Sequence, residues 1–523
     1  MDWIAKKACA VCRNGHFWSK NGVAALCAAT ALVLLGGCGG GGGGGTDVAP
    51  VTVYAPSSQL AAQCVLPRSG VNPATGFAYA DVQGTLANEK SWVRSWLDET
   101  YLWYRDIPAA DPSAYGSVVA YFAALKTPAK TPSGNDRDRF HFTYTTTDWL
   151  ALSQTGTAVG YGIGWEVLSS TVPRSVVVAQ VGAGSPAAVA GIGRGAQILA
   201  VDGVDLVRGS DTATLNAGLF PAKVGESHQL TVRDVGATAT RNVTLTSAAV
   251  TLAPVPLAKT LDTTDGSVGY LLFNEHVATA ELQLVDGVRK LAAAGIRDLV
   301  LDLRYNGGGY LAIASQLAYM IAGATPTKGA VFEKLLFNDR NPFKLTDAEA
   351  TTPFYDRALG YSFGPAGAAL PTLNLSRVFV LTSAATCSAS ESVINSLRGV
   401  GVEVILIGGT TCGKPFGFIP QDNCGTTYFA IQFQGVNHKG FGSYEDGFGP
   451  QCTVPDDFSH ALGDAAEARL AAALQYRSSR TCPQQADTPV RAALAEGLPA
   501  SGADSGGLAR PTYPGRVWGL PGR

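Results

Sequence analysis

The chain has 523 residues, a length that predicts about three domains of ordinary size. Apolar residues make up 46% of it and charged residues only 15%, which allows a large buried core. The formal net charge is −2, so there is no electrostatic basis for binding nucleic acid, and we predict no nucleic-acid partner.

The first 38 residues have the pattern of an export signal. Basic residues precede an apolar run, Val23 to Leu35, whose 13 residues are too few to span a membrane. Leu35-Gly-Gly-Cys38 then resembles a bacterial lipobox, in which the cysteine is lipidated and becomes the first residue of the mature protein. The alternative is an ordinary signal peptide with a chance cysteine. We predict a lipoprotein signal peptide at 1–38, lipidation of Cys38, and a tether at 39–60, which starts with the glycine run Gly39 to Gly45.

Residues 61–150 are predicted to form a small helical domain. From Asn88 to Ala124, large apolar side chains recur at spacings of three and four residues, as on one face of a helix. Such an aromatic stripe is most often buried core. Its members are Trp92, Trp96, Leu97, Tyr101, Leu102, Trp103 and Tyr104.

Residues 157–250 have a different rhythm, with short β-rich runs separated by glycines. Tyr161-Gly-Ile-Gly164 opens a strand, and Gly184 to Gly191 leads into Gln197 to Gly203, in an order that resembles a PDZ domain of the bacterial protease type. That resemblance implies that a peptide C-terminus adds to the strand edge, with its carboxylate held by Tyr161, Gly162, Ile163 and Gly164. A sandwich without a ligand is the alternative. The predicted strands are Ile163–Leu168, Val176–Val181, Ile198–Val201, Leu230–Val232 and Val243–Leu245.

Residues 255–482 alternate between strand and helix patterns, which predicts an α/β domain with a largely parallel sheet. In such sheets the reacting groups lie at the carboxyl ends of the strands. Segments 304–309, 383–388 and 410–414 all follow predicted strands. The predicted strands are Val268–Phe273, Leu299–Arg304, Val378–Thr382 and Val402–Ile407, and the predicted helices are Ala280–Ala294, Leu311–Ile321, one after Ser388, and Asp464–Tyr476.

Two of these segments carry a candidate nucleophile and a candidate base. Ser388 begins the run Ser-Ala-Ser-Glu391, and Lys414 follows it by 26 residues. A serine hydroxyl attacks an acyl carbon only when a neighbouring base removes its proton. For lysine this requires burial, which disfavours the charged amine and lowers its pKa from about 10.4 towards the working pH. The alternative is that Ser388 and Glu391 form a helix capping box and Lys414 is a solvated surface charge.

The segment Leu301 to Gly309 ends a predicted strand in three glycines. Adjacent glycines let backbone N–H groups approach a ligand closely, as an oxyanion hole requires. The alternative is a flexible turn. Gly308 and Ala389 are the candidate oxyanion donors.

These residues resemble the C-terminal processing (tail-specific) serine peptidases, which use a serine/lysine dyad. The family carries a serine in an S-A-S-E context, a lysine in a G-K context and an upstream D-L-R-x-N-x-G-G loop, and the chain has all three in that order between about 90 and 480. The resemblance implies a multidomain α/β protein with a small helical N-terminal domain, a β-rich PDZ domain and a crotonase-like α/β catalytic core. One position departs from the family: Phe418 stands where a glutamine often orients the lysine, and Gln421 is nearby.

Six cysteines remain after those of the signal segment and Cys38 are set aside, and an even number in an exported chain indicates disulfides. Cys387 precedes Ser388 and Cys412 lies two residues before Lys414, so a serine–lysine contact would bring these two cysteines within bridging distance. We predict that bridge, with buried free thiols as the alternative. By elimination we also predict Cys424–Cys452 and Cys64–Cys482; a zinc site is the competing interpretation.

The sequence therefore predicts a lipid-anchored serine endopeptidase of the bacterial cell envelope, facing the periplasm from the outer or inner membrane. It would cut exported polypeptides near their C-termini after PDZ capture, with Ser388 as nucleophile, Lys414 as base and no metal or cofactor. The rival is a PDZ-containing binding lipoprotein with impaired catalysis; a crotonase-type acyl transferase is a third class. His276 or His438 could replace Lys414 as base. Residues 483–523, rich in glycine, proline, alanine and serine, are predicted to be disordered.

Overall fold

The computed structural model describes residues 54–72, 75–251, 253–340 and 342–484. The predicted signal peptide with Cys38, residues 39–53 of the predicted tether and residues 485–523 of the predicted tail lie outside these ranges. The described chain is a mixed α/β, multidomain protein. Within it, no helix has both the length and the hydropathy needed to cross a lipid bilayer.

The end of the predicted tether is an ordered part of the fold, so the prediction of a tether to residue 60 was wrong. Ser57–Leu60 form a short helix, and the backbone N–H and hydroxyl of Ser57 both donate to the Glu99 carboxylate, at 2.7 and 2.5 Å. The elements of this N-terminal region are α1 (Ser57–Leu60), β1 (Gln63–Cys64), β2 (Val82–Gln83), α2 (Leu86–Thr100), α3 (Val118–Ala124), β3 (Phe142–Thr145) and α4 (Thr146–Leu150).

The predicted aromatic stripe is buried, but only its first half is helical. Trp92, Trp96 and Leu97 lie on the inner face of α2. The rings of the two tryptophans are stacked, with their centroids 5.6 Å apart. The helix ends at Thr100, and residues 101–117 contain only two short 3₁₀ helices, Tyr104–Asp106 and Pro112–Ala114. Prolines at 108 and 112 disfavour an α-helix through this segment. Strand β3 pairs with strand Thr426–Phe429 far along the chain, so this region shares its hydrophobic core with residues 416–431.

The middle region has the predicted strands. Five of them form an antiparallel sheet in which the strand of residues 163–169 lies at one edge. A separate two-stranded ribbon joins residues 157–160 to residues 248–251. The elements are β4 (Thr157–Gly160), β5 (Ile163–Ser169), β6 (Ser175–Val181), α5 (Pro186–Val189), β7 (Gln197–Val201), β8 (Val204–Asp205), α6 (Thr212–Leu219), β9 (Ser227–Arg233), β10 (Arg241–Thr246) and β11 (Ala248–Thr251).

The C-terminal region contains the predicted α/β core. Its elements are β12 (Leu257–Leu261), β13 (Val268–Leu272), α7 (Ala280–Ala293), β14 (Asp298–Asp302), α8 (Leu311–Ala322), α9 (Ala324–Thr327), β15 (Val331–Phe337), β16 (Thr351–Pro353), β17 (Arg377–Thr382), α10 (Ala389–Gly399), β18 (Glu403–Gly408), β19 (Phe416–Gly417), β20 (Gln421–Asn423), β21 (Thr426–Phe429), β22 (Phe433–Val436), β23 (Cys452–Thr453) and α11 (Ala468–Ser479). The main sheet has the strand order β12-β13-β14-β17-β18-β23. Every neighbouring pair in it is parallel except β12 with β13.

Both faces of this sheet are covered. Because strand side chains alternate, Leu299 and Leu301 pack with α7, α8 and α10 on one face, whereas Val300 packs with α11 on the other. This double burial explains the near-continuous apolar runs of the central strands. The loops after β13, β14, β17 and β18 therefore meet at one edge of the sheet, since these four neighbouring strands run in the same direction.

The described residues form three disulfides, and of these only Cys387–Cys412 was predicted. The other pairs are Cys64–Cys424 and Cys452–Cys482, so both pairings chosen by elimination were wrong. Cys64 reaches Cys424 because β1 docks beside the β20–β21 turn, where Ala62 N–H donates to Asn423 Oδ1 at 2.8 Å. Cys452 meets Cys482 because β23 is an edge strand of the sheet whose Cys452 packs in the same hydrophobic cluster as α11, and Cys482 follows the end of α11.

We expect non-reducing peptide mapping to recover linked Cys64–Cys424 and Cys452–Cys482 peptides. The Cys64→Ser/Cys424→Ser double variant should lose about 2–5 kcal/mol of unfolding free energy, because its bridge closes a sequence separation of 360 residues. A linked Cys64–Cys482 peptide would contradict the assignment.

Candidate active site

Ser388 lies in a sharp turn between β17 and α10. Its backbone has φ 59° and ψ −114°, a combination that costs a non-glycine residue about 1–3 kcal/mol. The turn is held from outside, because Cys387 N–H and the Ser390 hydroxyl both donate to the Asn306 carbonyl, at 3.1 and 3.0 Å. A serine on a strained strand-to-helix turn at the carboxyl edge of a sheet is the arrangement known as a nucleophile elbow.

Lys414 is buried in the loop that follows β18, the strand next to β17. Lys414 is 1% exposed. Its amine nitrogen lies 4.1 Å from the ring centroid of Phe418 and 4.9 Å from that of Phe140. A solvated surface lysine, the alternative considered from the sequence, does not describe this side chain. Gln421 does not orient the amine either, since it is an exposed residue of β20.

Glu391 joins the two loops. Its buried carboxylate accepts four hydrogen bonds, from Ser388 N–H (2.9 Å), Lys414 N–H (2.8 Å), Gly413 N–H (2.8 Å) and the Thr411 hydroxyl (2.6 Å). The bond to Ser388 N–H is the one expected of a capping-box glutamate. The other three fix the lysine loop against the start of α10, so a single side chain sets the position of both candidate catalytic backbones.

The charge of Glu391 is offset by its surroundings. Burial raises the pKa of the Glu391 carboxyl above its usual value, and the hydrogen bonds from Thr411, Lys414, Ser388 and Gly413 oppose that rise. Arg139 also attracts the carboxylate electrostatically, and its guanidinium donates to the carbonyl of Cys412 in the same loop. The N-terminal region thus supplies a positive charge beside the lysine loop.

A covalent bridge adds to this link. The Cys387–Cys412 disulfide joins the residue before Ser388 to the loop of Lys414, with Cα atoms 5.1 Å apart. Beside it, Cys412 N–H donates to the Thr386 carbonyl at 3.0 Å. The two loops are therefore connected by a carboxylate, a backbone hydrogen bond and a disulfide.

The glycine loop lies directly against the serine turn. A Cβ at Gly308 would come within 3.0 Å of Ala389 N and of Ser388 Cβ, so only glycine fits there, and φ is +104°. The N–H of Gly308 donates to Asn306 Oδ1 at 3.0 Å and is thus engaged in this structure. Ala389 is the first residue of α10, where backbone N–H groups lack partners within the helix.

His276 supports the glycine loop from the end of β13. The backbone N–H of His276 donates to the Gly308 carbonyl at 3.1 Å, and its ring Nδ1 lies 3.0 Å from Asn306 Oδ1. Because that oxygen already accepts from Gly308, Nδ1 carries the proton. The buried Nε2 has no hydrogen-bond partner among the described residues. Burial lowers the pKa of His276 to about 3, against those hydrogen bonds, so the ring is neutral. His438, the other alternative base, accepts from Val331 N–H at the start of β15.

A buried cluster of charges fixes the other end of the glycine loop, and two of its acidic members, Asp456 and Glu467, were missed from the sequence. Arg304 is fully buried and donates to Asp302, Asp456 and Glu467 at 2.7 to 3.0 Å. Burial would raise the pKa of Asp456, but the guanidiniums of Arg469, Arg304 and Arg194 hold it well below its usual range. Only the D-L-R motif signalled this cluster, because the partners lie more than 150 residues later.

The candidate peptide-binding residues lie at the start of β5. Tyr161 is buried and its hydroxyl donates to the Gly218 carbonyl of α6 at 3.0 Å; Gly162 has φ +74° and no room for a Cβ beside Ser185. Ile163 and Gly164 open the edge strand. Gly164 pairs with Gln180, whose side chain accepts from Asn274 Nδ2 at 2.8 Å, two residues before His276. The structure thus connects this strand to the site through one side chain.

Potential metal ligands come together at two places in the described residues, but each contains a disulfide. The groups are Cys64, Glu89 and Cys424, and Cys387, Glu391 and Cys412. Disulfide sulfurs carry no thiolate for a metal. These groups therefore do not make metal sites while the bridges are intact.

Two regions of the chain are similar to one known family of peptidases. Residues 267–417 match the description of peptidase family S41, and residues 88–144 match that of the S41 N-terminal domain. These two regions, which together make up less than half of the chain, are similar to peptidase family S41. The first of them contains β13, β14, β17 and β18 together with Ser388 and Lys414, so the S41 match covers the candidate active site.

Two curated relatives are carboxyl-terminal-processing proteases of cyanobacteria. The chain is 30% identical to that of Picosynechococcus sp. over 240 residues, which are 44% of this chain and 49% of the relative. It is 30% identical to that of Synechocystis sp. over 174 residues, 32% of this chain and 39% of the relative. The match therefore spans about half, or less, of each relative. A solved structure of a candidate S41 protease from Bacteroides fragilis NCTC 9343 is 25% identical, with TM-score 0.58, covering 75% of this chain and 97% of that one.

We expect Glu391→Gln to disrupt the S41 site. Glutamine has one amide oxygen, so two of the four donors that face Glu391 would meet an NH₂ group instead. Leaving buried donors unpaired costs about 1–3 kcal/mol each. The free energy of unfolding should fall, measured by chemical denaturation, and any hydrolytic activity should fall by more than tenfold in kcat.

Glu281→Gln is the matched control. Glu281 is also a buried carboxylate, and it accepts from Gln316 Nε2, Leu359 N–H, Ser362 N–H and Phe363 N–H, away from the serine and lysine loops. The control should lose similar stability but keep its kcat. Equal kcat loss in both variants would contradict the role of Glu391.

His276 should make the fold sensitive to acid. Its pKa is about 3 in the fold and about 6.5 when unfolded, so below pH 6.5 the unfolded state binds the extra proton. Its contribution is fully present above pH 6.5 and is lost as pH falls towards 3. Between pH 7 and pH 4 we expect the wild type to lose about 3 kcal/mol more unfolding free energy than His276→Gln, by denaturant titration. Parallel losses in both proteins would contradict this.

Proposed function

We propose that the chain is a serine endopeptidase that hydrolyses polypeptides near their C-termini, with Ser388 as nucleophile and Lys414 as general base. The observation that carries the proposal is the pairing of a strained serine turn with a buried lysine on neighbouring strand ends, joined by Glu391 and the Cys387–Cys412 bridge. The S41 match and the carboxyl-terminal-processing relatives support the same conclusion.

In the proposed first step, the Ser388 Oγ lone pair forms a bond to the scissile carbonyl carbon. The Oγ–H proton passes to the Lys414 amine, and the carbonyl electrons move to the oxygen, which becomes the oxyanion. Burial favours this role, because a buried lysine is more readily neutral and only a neutral amine accepts a proton. The oxyanion electrons then re-form the carbonyl as the C–N bond breaks, and Lys414 gives its proton to the leaving amine. In the second half, Lys414 takes a proton from the water that attacks the acyl carbon, and it returns this proton to Ser388 Oγ as the ester bond breaks.

The oxyanion would be stabilised by backbone N–H groups beside Ser388. Ala389 N–H is at the start of α10, where the helix dipole also favours negative charge. Gly308 can contribute only after its N–H leaves Asn306 Oδ1, so a small rearrangement of Asn306 belongs to the proposal. No metal or cofactor enters any step.

Substrates are proposed to bind first at a PDZ domain formed by residues 157–251. β5 lies at the edge of its sheet, and α6 is fixed beside it by the bond from Trp165 Nε1 to the Leu219 carbonyl at 3.1 Å. An extended chain could add to this edge, with its terminal carboxylate held by backbone N–H groups of residues 161–164. The crotonase-like description of the α/β core is part of the same proposal.

The export pattern of residues 1–38 supports a lipid anchor at Cys38 in the bacterial cell envelope, with the enzyme facing the periplasm from the outer or inner membrane. Its partners would then be exported polypeptides and the membrane.

A second candidate is a PDZ-containing binding lipoprotein with impaired catalysis. Two observations favour it: Phe418 stands where the related enzymes often have an orienting glutamine, and the Gly308 N–H is occupied by Asn306. Cleavage assays separate the two candidates.

The test is cleavage of an unfolded polypeptide by the purified wild type, Ser388→Ala and Lys414→Ala. We expect the wild type to cut, with kcat/KM rising towards alkaline pH as the amine loses its proton, and both variants to lose at least a thousandfold in kcat. Mass spectrometry of a slowly hydrolysed substrate should place the acyl group on Ser388.

Two matched variants control for damage to the fold. Ser396 is a buried serine at the other end of α10, and its hydroxyl donates a hydrogen bond to the Phe332 carbonyl. Lys90 is a buried lysine of α2, and its amine donates hydrogen bonds to the Pro112 and Tyr115 carbonyls. Ser396→Ala and Lys90→Ala should remain active. Full activity in Ser388→Ala would remove the nucleophile assignment, and no cleavage by the wild type would favour the binding protein.

A further inference from the structure

The Lys414 amine lies over the faces of two aromatic rings. Its nitrogen is 4.1 Å from the ring centroid of Phe418 and 4.9 Å from that of Phe140. Phe418 is fully buried four residues after the lysine, and Phe140 precedes strand β3 in the N-terminal region. Both distances are within the range of about 6 Å at which a ring face attracts a cation.

Such an attraction changes during the proposed reaction. A neutral amine has little interaction with the negative face of a ring, whereas an ammonium is attracted by about 0.5–1 kcal/mol at exposed sites and about 2 kcal/mol or more where water is excluded. When the Ser388 Oγ–H bond breaks, a new N–H bond forms at Lys414 and the positive charge appears beside the rings. The rings therefore stabilise the state after proton transfer more than the state before it.

We propose that Phe418 and Phe140 are positioning residues that hold the Lys414 amine and stabilise the ammonium formed when it takes the Ser388 proton. This inference rests on the proposed function. Phe418 thereby fills the place of the orienting glutamine by a different interaction, a ring face in place of a hydrogen-bonding amide.

Neighbouring rings keep Phe418 in place. Its ring centroid lies 5.6 Å from Phe142 and 5.1 Å from Phe429, in edge-to-face geometry. Phe142 belongs to β3 and Phe429 to β21, the two strands that join the N-terminal region to the core. The orientation of the amine thus depends on packing between distant parts of the chain.

Charged groups around the lysine loop also affect the amine and must be considered in any pH test. Glu391 lies on the side of α10, Arg139 on the side of Phe140, and Glu445 and Asp446 in the loop that packs on Gly413. The carboxylates favour the ammonium and Arg139 opposes it. All four remain in the variants below, so differences between variants report the rings.

The experiment measures kcat and kcat/KM for a peptide substrate from acid to alkaline pH in wild type, Phe418→Leu and Phe140→Leu. In Phe418→Leu the midpoint of the acidic limb should move down by about one pH unit, because the ammonium loses an attraction worth roughly that much. The alkaline plateau of kcat should fall by about three- to tenfold, since the amine becomes a weaker base, with little change in KM. Phe140→Leu should show smaller changes in the same directions.

Phe332→Leu is the matched control. It removes a fully buried ring of β15 that packs edge-to-face on Phe354 at 5.5 Å and is not one of the two rings beside the amine. It should lose stability in thermal unfolding while its acidic midpoint stays at the wild-type value.

Equal midpoints in Phe418→Leu and Phe332→Leu would overturn the inference, and so would a midpoint that moves up in Phe418→Leu. Failure of the underlying function has a different signature, because Lys414→Ala would then retain activity.

Discussion

The Glu391 carboxylate is the interaction on which the candidate site depends. It lies in the first turn of α10, yet three of its four donors come from the loop after β18. A buried carboxylate is unfavourable without such partners, and it is stable here because backbone N–H groups and one hydroxyl surround it. The same set of bonds therefore supports the charge and fixes the separation between the serine turn and the lysine loop.

The glycine loop is held in a comparable way from its other end. Arg304 is buried with Asp302 and Glu467, and Arg194 of the middle region bonds both Asp456 and the Tyr305 hydroxyl at 2.7 Å. Tyr305 is next to Asn306, which in turn holds Gly308 and the serine turn. Removing one member of such a cluster leaves an unpaired buried charge, so its members are expected to act together.

Local patterns made much of this arrangement predictable. The central strands were recognised from near-continuous apolar runs, since both faces of the sheet are covered, and the helices from the alternation of strand and helix patterns. Short motifs indicated Ser388, Lys414 and the glycine loop as the candidate site, and the Cys387–Cys412 bridge was predicted from its position beside two of them. Each of these signals lies within a few residues of the feature it predicts.

Features that depend on distant contacts were not predictable in the same way. Glu391 was recognised only as a capping residue, because its bonds to the lysine loop follow from the pairing of β17 with β18. The Cys64–Cys424 bridge requires the N-terminal segment to dock on the β20–β21 turn, and Phe140 reaches Lys414 only because β3 pairs with β21. The helical pattern was predicted to continue past Thr100, where α2 ends, because the aromatic residues keep the helical spacing beyond the last turn.

The Cys387–Cys412 bridge has a consequence for when the site is completed. Disulfides persist in oxidising compartments and are rare in the reducing cytoplasm. A newly made chain with free thiols at 387 and 412 lacks the covalent connection between the serine turn and the lysine loop. The full set of connections is therefore assembled only after the chain meets an oxidant, which separates synthesis of the protein from completion of its site.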